Sequence, residues 1–135
     1  MNQLELLGTW LKTFPLWNGQ TLEIDTLRPK PGSCAVFCQG VERSTLRQEL
    51  LGGRLLSCRQ TFLLRRVAVA NADAAAWLME LQDWVAKQKG PALGQGDTLW
   101  SAQKGRLVKT DATGVGTYEV TLTATYEIYL EGDGA

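Results

Sequence analysis

Hydrophobic and polar positions alternate with two different periods along this chain, and the switches between them predict its elements. Leu4, Leu7, Leu11 and Phe14 recur at helical spacing, with Leu6 and Trp10 widening the stripe. Asn2 supplies an N-cap and Pro15 ends the pattern. Thr21 to Leu27 then alternates as a short strand, with Leu22, Ile24 and Thr26 on one side and Glu23 and Asp25 on the other. Arg28-Pro29-Lys30-Pro31-Gly32 reads as a rigid loop. Cys34 to Phe37 is a small apolar run that predicts a buried strand, and Val41 to Leu51 predicts another. Gly52-Gly53 predicts a two-residue hairpin turn, because primed turns need positive φ. The return strand runs from Arg54 to about Val69. Leu56, Cys58, Phe62 and Leu64 share one face, and Leu55, Leu63 and Val67 make the other apolar as well, which predicts cover on both sides.

The second helix is capped by Asn71 or Asp73, presents Trp77, Leu78, Leu81, Trp84, Val85 and Gln88 along one face, and stops at Gly90-Pro91. A Gly-rich loop leads to a last hairpin, with arms Asp97–Thr110 and Tyr118–Leu130 around a turn at Asp111–Gly116. Its closing strand alternates strictly: Tyr118, Val120, Leu122, Ala124, Tyr126, Ile128 and Leu130 against Glu119, Thr121, Thr123, Thr125, Glu127 and Tyr129. The expected architecture is one α+β domain over residues 1–135, in the order α-β-β-β-β-α-β-β. Long hairpins form an antiparallel sheet with two amphipathic helices packed against it.

Composition narrows the function classes. No run reaches the roughly 18 apolar residues of a membrane-spanning helix, and Met1 to Glu5 lacks the basic start of a signal peptide. The chain has no histidine, so Ser–His and Cys–His nucleophile pairs and imidazole metal ligands are excluded. Cys34, Cys38 and Cys58 are too few for a closed zinc site and read as reduced thiols. The glycines of Thr113-Gly114-Val115-Gly116-Thr117 lack the Lys-Ser/Thr and the following helix of a phosphate loop. Glu23 with Asp25, and Glu119 with Glu127, lie on polar strand faces and read as solvated rather than catalytic. No catalytic residue, cofactor or metal is expected.

Net charge is zero but unevenly spread. From Arg28 to Arg66 there are eight basic residues against Glu42 and Glu49, a net +6, so the remainder carries −6. Diluted over that length and without a recognised motif, the charge does not point to sequence-specific nucleic-acid binding. It fits either a solvated sheet face or a two-signed surface that docks onto a copy of itself, with Arg65, Arg66, Glu119 and Glu127 as candidate interface residues. Of five tryptophans, Trp10, Trp77 and Trp84 lie on helical stripes, while Trp17 and Trp100 stand outside them as candidate interface anchors.

A helix ending in Leu11-Lys12-Thr13-Phe14-Pro15-Leu16 is followed by a strand and a Pro-Gly loop before Ala35-Val36-Phe37. A hairpin at Gly52-Gly53, the Trp-rich helix Trp77 to Val85 and a final strand through Gly116-Thr117-Tyr118-Glu119-Val120-Thr121-Leu122 complete the order. It resembles small prophage minor capsid or tail-completion proteins of Gram-positive hosts, which in turn look like tail terminators. The resemblance covers nearly the whole chain and brings no residue-level site. It implies a homo-oligomeric ring, often a hexamer, that caps the tail tube or joins tail to head. Its partners would be tail-tube or head–tail connector proteins, and its location the host bacterial cytoplasm during assembly and then the virion. The alternatives are a monomeric adaptor or binding module on the same scaffold, and a small enzyme or ligand-binding protein using the acids and tryptophans. A closing strand of 14 residues would span about 46 Å, against a diameter near 37 Å for a compact domain of this length. The hairpin must therefore bend or project.

Overall fold

The computed structural model describes residues 2–132, and they form an α+β fold. Its elements are α1 (Gln3–Leu11), β1 (Leu22–Ile24), β2 (Cys34–Gln48), β3 (Arg54–Val69), α2 (Ala72–Lys87), β4 (Gln95–Thr110) and β5 (Val115–Leu130). Both helices start where a side chain satisfies an orphan backbone donor. Asn2 Oδ1 accepts from the Glu5 amide at 2.9 Å, and Asn71 Oδ1 accepts from the Ala74 amide at 3.0 Å. For α2 this selects Asn71 over Asp73 as the cap. One long sheet carries the strands in the order β1-β2-β3-β5-β4.

Two expectations need correction. The chain has five strands rather than six, because Cys34–Phe37 and Val41–Leu51 are one strand. A register shift between Cys38 and Gly40 absorbs the polar break, so pairing to β3 continues through it. The sheet is also mixed: β1 pairs parallel with β2, Leu22 against Cys34 and Ile24 against Val36. β1 is shorter than the alternation predicts because Asp25 takes φ 56° and leaves the ladder. The other pairings are antiparallel. β4 enters on the far side of β5 from β3, so β3, α2 and β4 form a βαβ unit with β5 inserted between its strands.

The hairpin turns at the expected place with different geometry. Gly52 N donates to Glu49 O at 3.1 Å and Glu49 N to Gly53 O at 2.7 Å, so Leu50 and Leu51 occupy the corner. Gly52 alone of the glycine pair takes positive φ, at 90°. Gly53 matters differently: a Cβ there would crowd the Tyr129 hydroxyl and displace the end of that side chain.

Both helices lie on one face of the sheet, over half its length. Leu7, Leu11, Phe14, Trp77, Leu78, Leu81 and Val85 bury against Cys34, Val36, Phe62, Leu64, Tyr118, Val120 and Leu122. Each large apolar side chain so buried contributes about 1.5–3 kcal/mol. Aromatic rings tie the layers together: Trp10 stacks on Trp84 at 5.3 Å, and Phe14 meets Trp77 edge-on at 5.5 Å. A smaller cluster of Leu56, Cys58, Ala124 and Tyr126 continues the core beyond the helices, with Leu93 and Ile128 packed on it. The predicted cover on both faces of β3 is present only at its end, where Val67 is buried and bonded to the loop through Gly32 and Ser33. Elsewhere the second face is open and rich in Ser and Thr.

Sixteen residues of β5 at ~3.3 Å each reach about 53 Å, and the excess length projects. Every residue from Cys38 to Gly52 is exposed. The β2–β3 hairpin therefore extends past the helical layer, with the outer edge of β2 unpaired beyond Val36.

Candidate assembly interface

The candidate residues fall into two groups, those the fold uses internally and those it presents. Trp17 is internal. It is 1% exposed, its indole N–H donates to Gln20 O at 2.7 Å, and its ring lies 6.0 Å from that of Trp77. Trp100 is half-buried, stacked on Phe62 at 6.1 Å and against Trp10 at 5.1 Å, with its N–H donating to Pro91 O at 2.9 Å. Neither is a surface anchor. The helical period missed them because Trp17 follows the helix end and Trp100 reaches the core from an outer strand.

Arg65, Arg66 and Glu119 are also internal. Arg65 and Glu119 are direct cross-strand partners, and Arg65 Nε donates to Glu119 Oε2 at 2.7 Å. Arg106 Nη2 donates to the other carboxylate oxygen at 3.4 Å. The Glu119 side chain is 7% exposed, so it is not the solvated residue that strict alternation predicts. Alternation assigns a face; the two arginine stems on that face cover it. A register shift between Gln103 and Arg106, with Lys104 at φ 59°, brings Arg106 opposite Glu119, and no sequence period shows that. Arg65 also lies 5.2 Å from the Phe37 ring centroid. The Arg66 guanidinium sits 4.4 Å above the Trp77 ring and donates to Gln20 Oε1 at 3.2 Å. Burial holds its pKa below the usual arginine range, against the opposing pull of Cys34 and Tyr118. A charge reversal at Arg65 and Arg66 would therefore damage the fold before it probed an interface.

The other acids do not converge. Glu23 pairs with Arg28 at 3.4 Å, and Asp25 accepts from the Cys38 amide at 3.3 Å. Glu119 and Glu127 are eight residues apart on β5, about 26 Å, beyond the ~10 Å at which two carboxylates share a glycosidic bond. Glu127 is exposed. Among the described residues no group of three His, Cys, Asp or Glu is placed to hold a metal ion. No helix of the described residues is long and apolar enough to cross a membrane.

Burial pushes the Cys34 thiol up to about 12. Cys58 is buried too, while Cys38 is exposed, its pKa raised by partial burial and by Asp25. A disulfide reagent should therefore modify one thiol quickly in the native protein, Cys38, and three after denaturation. Because a raised folded-state pKa gives stability that is lost on the alkaline side, stability should fall as pH climbs from about 9.0 toward about 12. A native count of two or more would contradict the burial of Cys34 and Cys58.

Three features are presented to solvent. The open sheet face holds a groove of about 490 Å³, lined by Ser44, Ser57, Arg59, Ser101, Gln103 and Thr123 among others. Beyond Cys38, whose amide is taken up by Asp25, the edge of β2 offers unpaired backbone groups, a template for another strand. The hairpin tip sets out Leu46, Leu50 and Leu51, with Leu50 fully exposed. Tyr129 steadies that tip by donating from its hydroxyl to Glu49 Oε2 at 2.6 Å. No protein-family model matches this chain, and no curated protein matches it.

Proposed function

We propose that this chain is a bacteriophage structural protein, a tail terminator or head–tail completion component, working by ring-like self-association and by contacts with tail-tube or connector proteins. The observation that carries the reading is the projecting β2–β3 hairpin. Along β2 the open edge is blunted by Glu42, Arg43, Arg47 and two register shifts, but the hairpin ends in the exposed Leu46, Leu50 and Leu51, an apolar tip that is a liability in a lone monomer. In an assembly, a neighbouring subunit covers it. The order of elements, which resembles prophage tail-completion proteins, supplies the kind of assembly. The same reading assigns the chain no catalytic step, no cofactor and no sequence-specific nucleic-acid contact. It places the protein in the host bacterial cytoplasm during assembly and then in the virion, as a ring such as a hexamer.

The test is genetic and microscopic. Deleting the coding sequence from the phage or prophage that carries it should leave DNA-filled heads without attached tails, or tail tubes of uncontrolled length, in negative-stain images. Complementation by the intact chain should restore joined particles. Normal, infectious particles from the deletion would overturn the proposal.

A further inference from the structure

The end of the sheet far from the hairpin tip holds a cleft of about 350 Å³, at the small end of the range for ligand pockets. Its floor is one rung across three strands, on the face away from the helices. Val67 of β3 lies opposite Thr117 of β5, and Thr117 opposite Lys109 of β4. Val115, two residues before Thr117, extends the floor toward the β4–β5 turn. The loop after β1 supplies a wall, Leu27 and Pro29. That loop is fixed to the floor, because Gly32 N donates to Val67 O at 2.9 Å and Val67 N to Ser33 O at 2.8 Å.

The polar groups of the cleft differ in whether the fold already uses them. Arg65 is held by Glu119 and lies against the Phe37 ring. Asp111 Oδ1 accepts from the Thr113 amide at 2.8 Å, the Thr113 hydroxyl at 2.7 Å and the Val115 amide at 3.0 Å, which commits it to its own turn. Two groups are left over. Thr117 is only 9% exposed, yet its hydroxyl bonds to no described residue. No unpartnered polar side-chain atom is sealed inside the described residues, so that hydroxyl opens into the cleft it lines. Lys109 forms no ion pair among the described residues. Each has an ordinary use alone, since Thr suits a strand and Lys blunts the sheet edge that β4 forms. Neither use accounts for a free hydroxyl and a free ammonium bordering one apolar cleft. The charges that line it, Arg65 and Lys109 against Asp111, sum to +1, and the neighbouring Glu119 and Arg106 cancel.

We infer that this cleft binds a small carboxylate with a short apolar body. The Lys109 ammonium and the Thr117 hydroxyl each donate to one carboxylate oxygen, and the body lies on Val67 and Val115 against Leu27 and Pro29. Two donors match the two oxygens of a carboxylate, whereas a phosphate would leave oxygens unserved. The site stands at the opposite end of β3 from the hairpin tip, so it does not depend on the assembly role proposed above.

The test is a titration of the full isotope-labelled chain, followed by amide chemical shifts near neutral pH and at low salt. Hexanoate is the probe, hexanamide its uncharged counterpart, and acetate the head without the body. Hexanoate should saturate with a Kd of about 1 mM or tighter, with the largest shifts at Val67, Lys109, Val115 and Thr117. Hexanamide and acetate should bind at least about fivefold more weakly, one for want of the ion pair and the other for want of apolar burial. Lys109→Met keeps the stem and removes the charge, and Thr117→Val keeps the shape and removes the hydroxyl. Each should weaken hexanoate by about fivefold, and Lys109→Met should leave hexanamide binding unchanged. Spectra that overlay wild type away from the cleft show that the variants fold; if Thr117→Val does not, Lys109→Met, at an exposed side chain, decides alone. Hexanamide matching hexanoate, undiminished binding by Lys109→Met, shifts centred elsewhere, or no saturation up to about 20 mM would each overturn the site. The deletion phenotype judges the phage role separately, whichever way the titration falls.

Discussion

Replacing Trp17 with alanine is expected to lower stability by about 4 kcal/mol, the range for truncating a buried tryptophan. For a chain of this length that is a fall of roughly 14 °C in Tm. Trp17 is almost wholly buried beside Trp77, and its indole N–H is bonded to the Gln20 carbonyl. Alanine would leave a void under the loop that joins α1 to β1. The loss should also loosen Gln20, which accepts from Arg66 and donates to the Trp17 carbonyl. Circular dichroism melts at low protein concentration read the effect directly. An unchanged melt, with a loss only in association, would mean that Trp17 is an interface anchor after all and that its packing is misread.

That contrast marks what was legible in the sequence. Both helices were, because Asn2 and Asn71 cap apolar stripes of clean helical period, and so was β5, whose alternation is strict. The α+β class followed from those elements. Local patterns failed where a residue's role depends on a distant partner. Gln39-Gly40 looks like a break between two strands, but the register shift there is absorbed by continued pairing to β3. β1 lies parallel to β2, a choice made by the connection through the Pro-rich loop rather than by its three residues. Gly52-Gly53 marks the hairpin but not its corner, so the exposure of Leu50 and Leu51 is not legible there. Sequence charge pointed to Arg65 and Arg66 as contacts because it counts charges without their partners. In the fold both are committed to neighbours.

Glu119→Ala is expected to destabilise the protein by about 2 kcal/mol, or roughly 7 °C in Tm. The carboxylate is nearly enclosed, and it satisfies Arg65 at 2.7 Å and Arg106 at 3.4 Å. Removing it leaves two guanidinium groups that must find water. Arg106 is 67% exposed and does so readily; Arg65, at 36%, does so less well, so the penalty falls short of the ~3–5 kcal/mol for a fully buried pair. Glu119→Gln, which keeps the shape and an acceptor oxygen, should lose less than Glu119→Ala. The decisive measurement is a double-mutant cycle with Arg65→Met. When both partners of a buried pair become apolar, much of the loss returns, because the cost lies in the charge left unpaired rather than in the bond itself. Glu119→Met with Arg65→Met should therefore be more stable than the sum of the single changes predicts, by at least about 1 kcal/mol of coupling. Additive losses would mean that Glu119 acts through its own burial and not through Arg65. The β3–β5 register that sets these residues opposite each other would then be open to question.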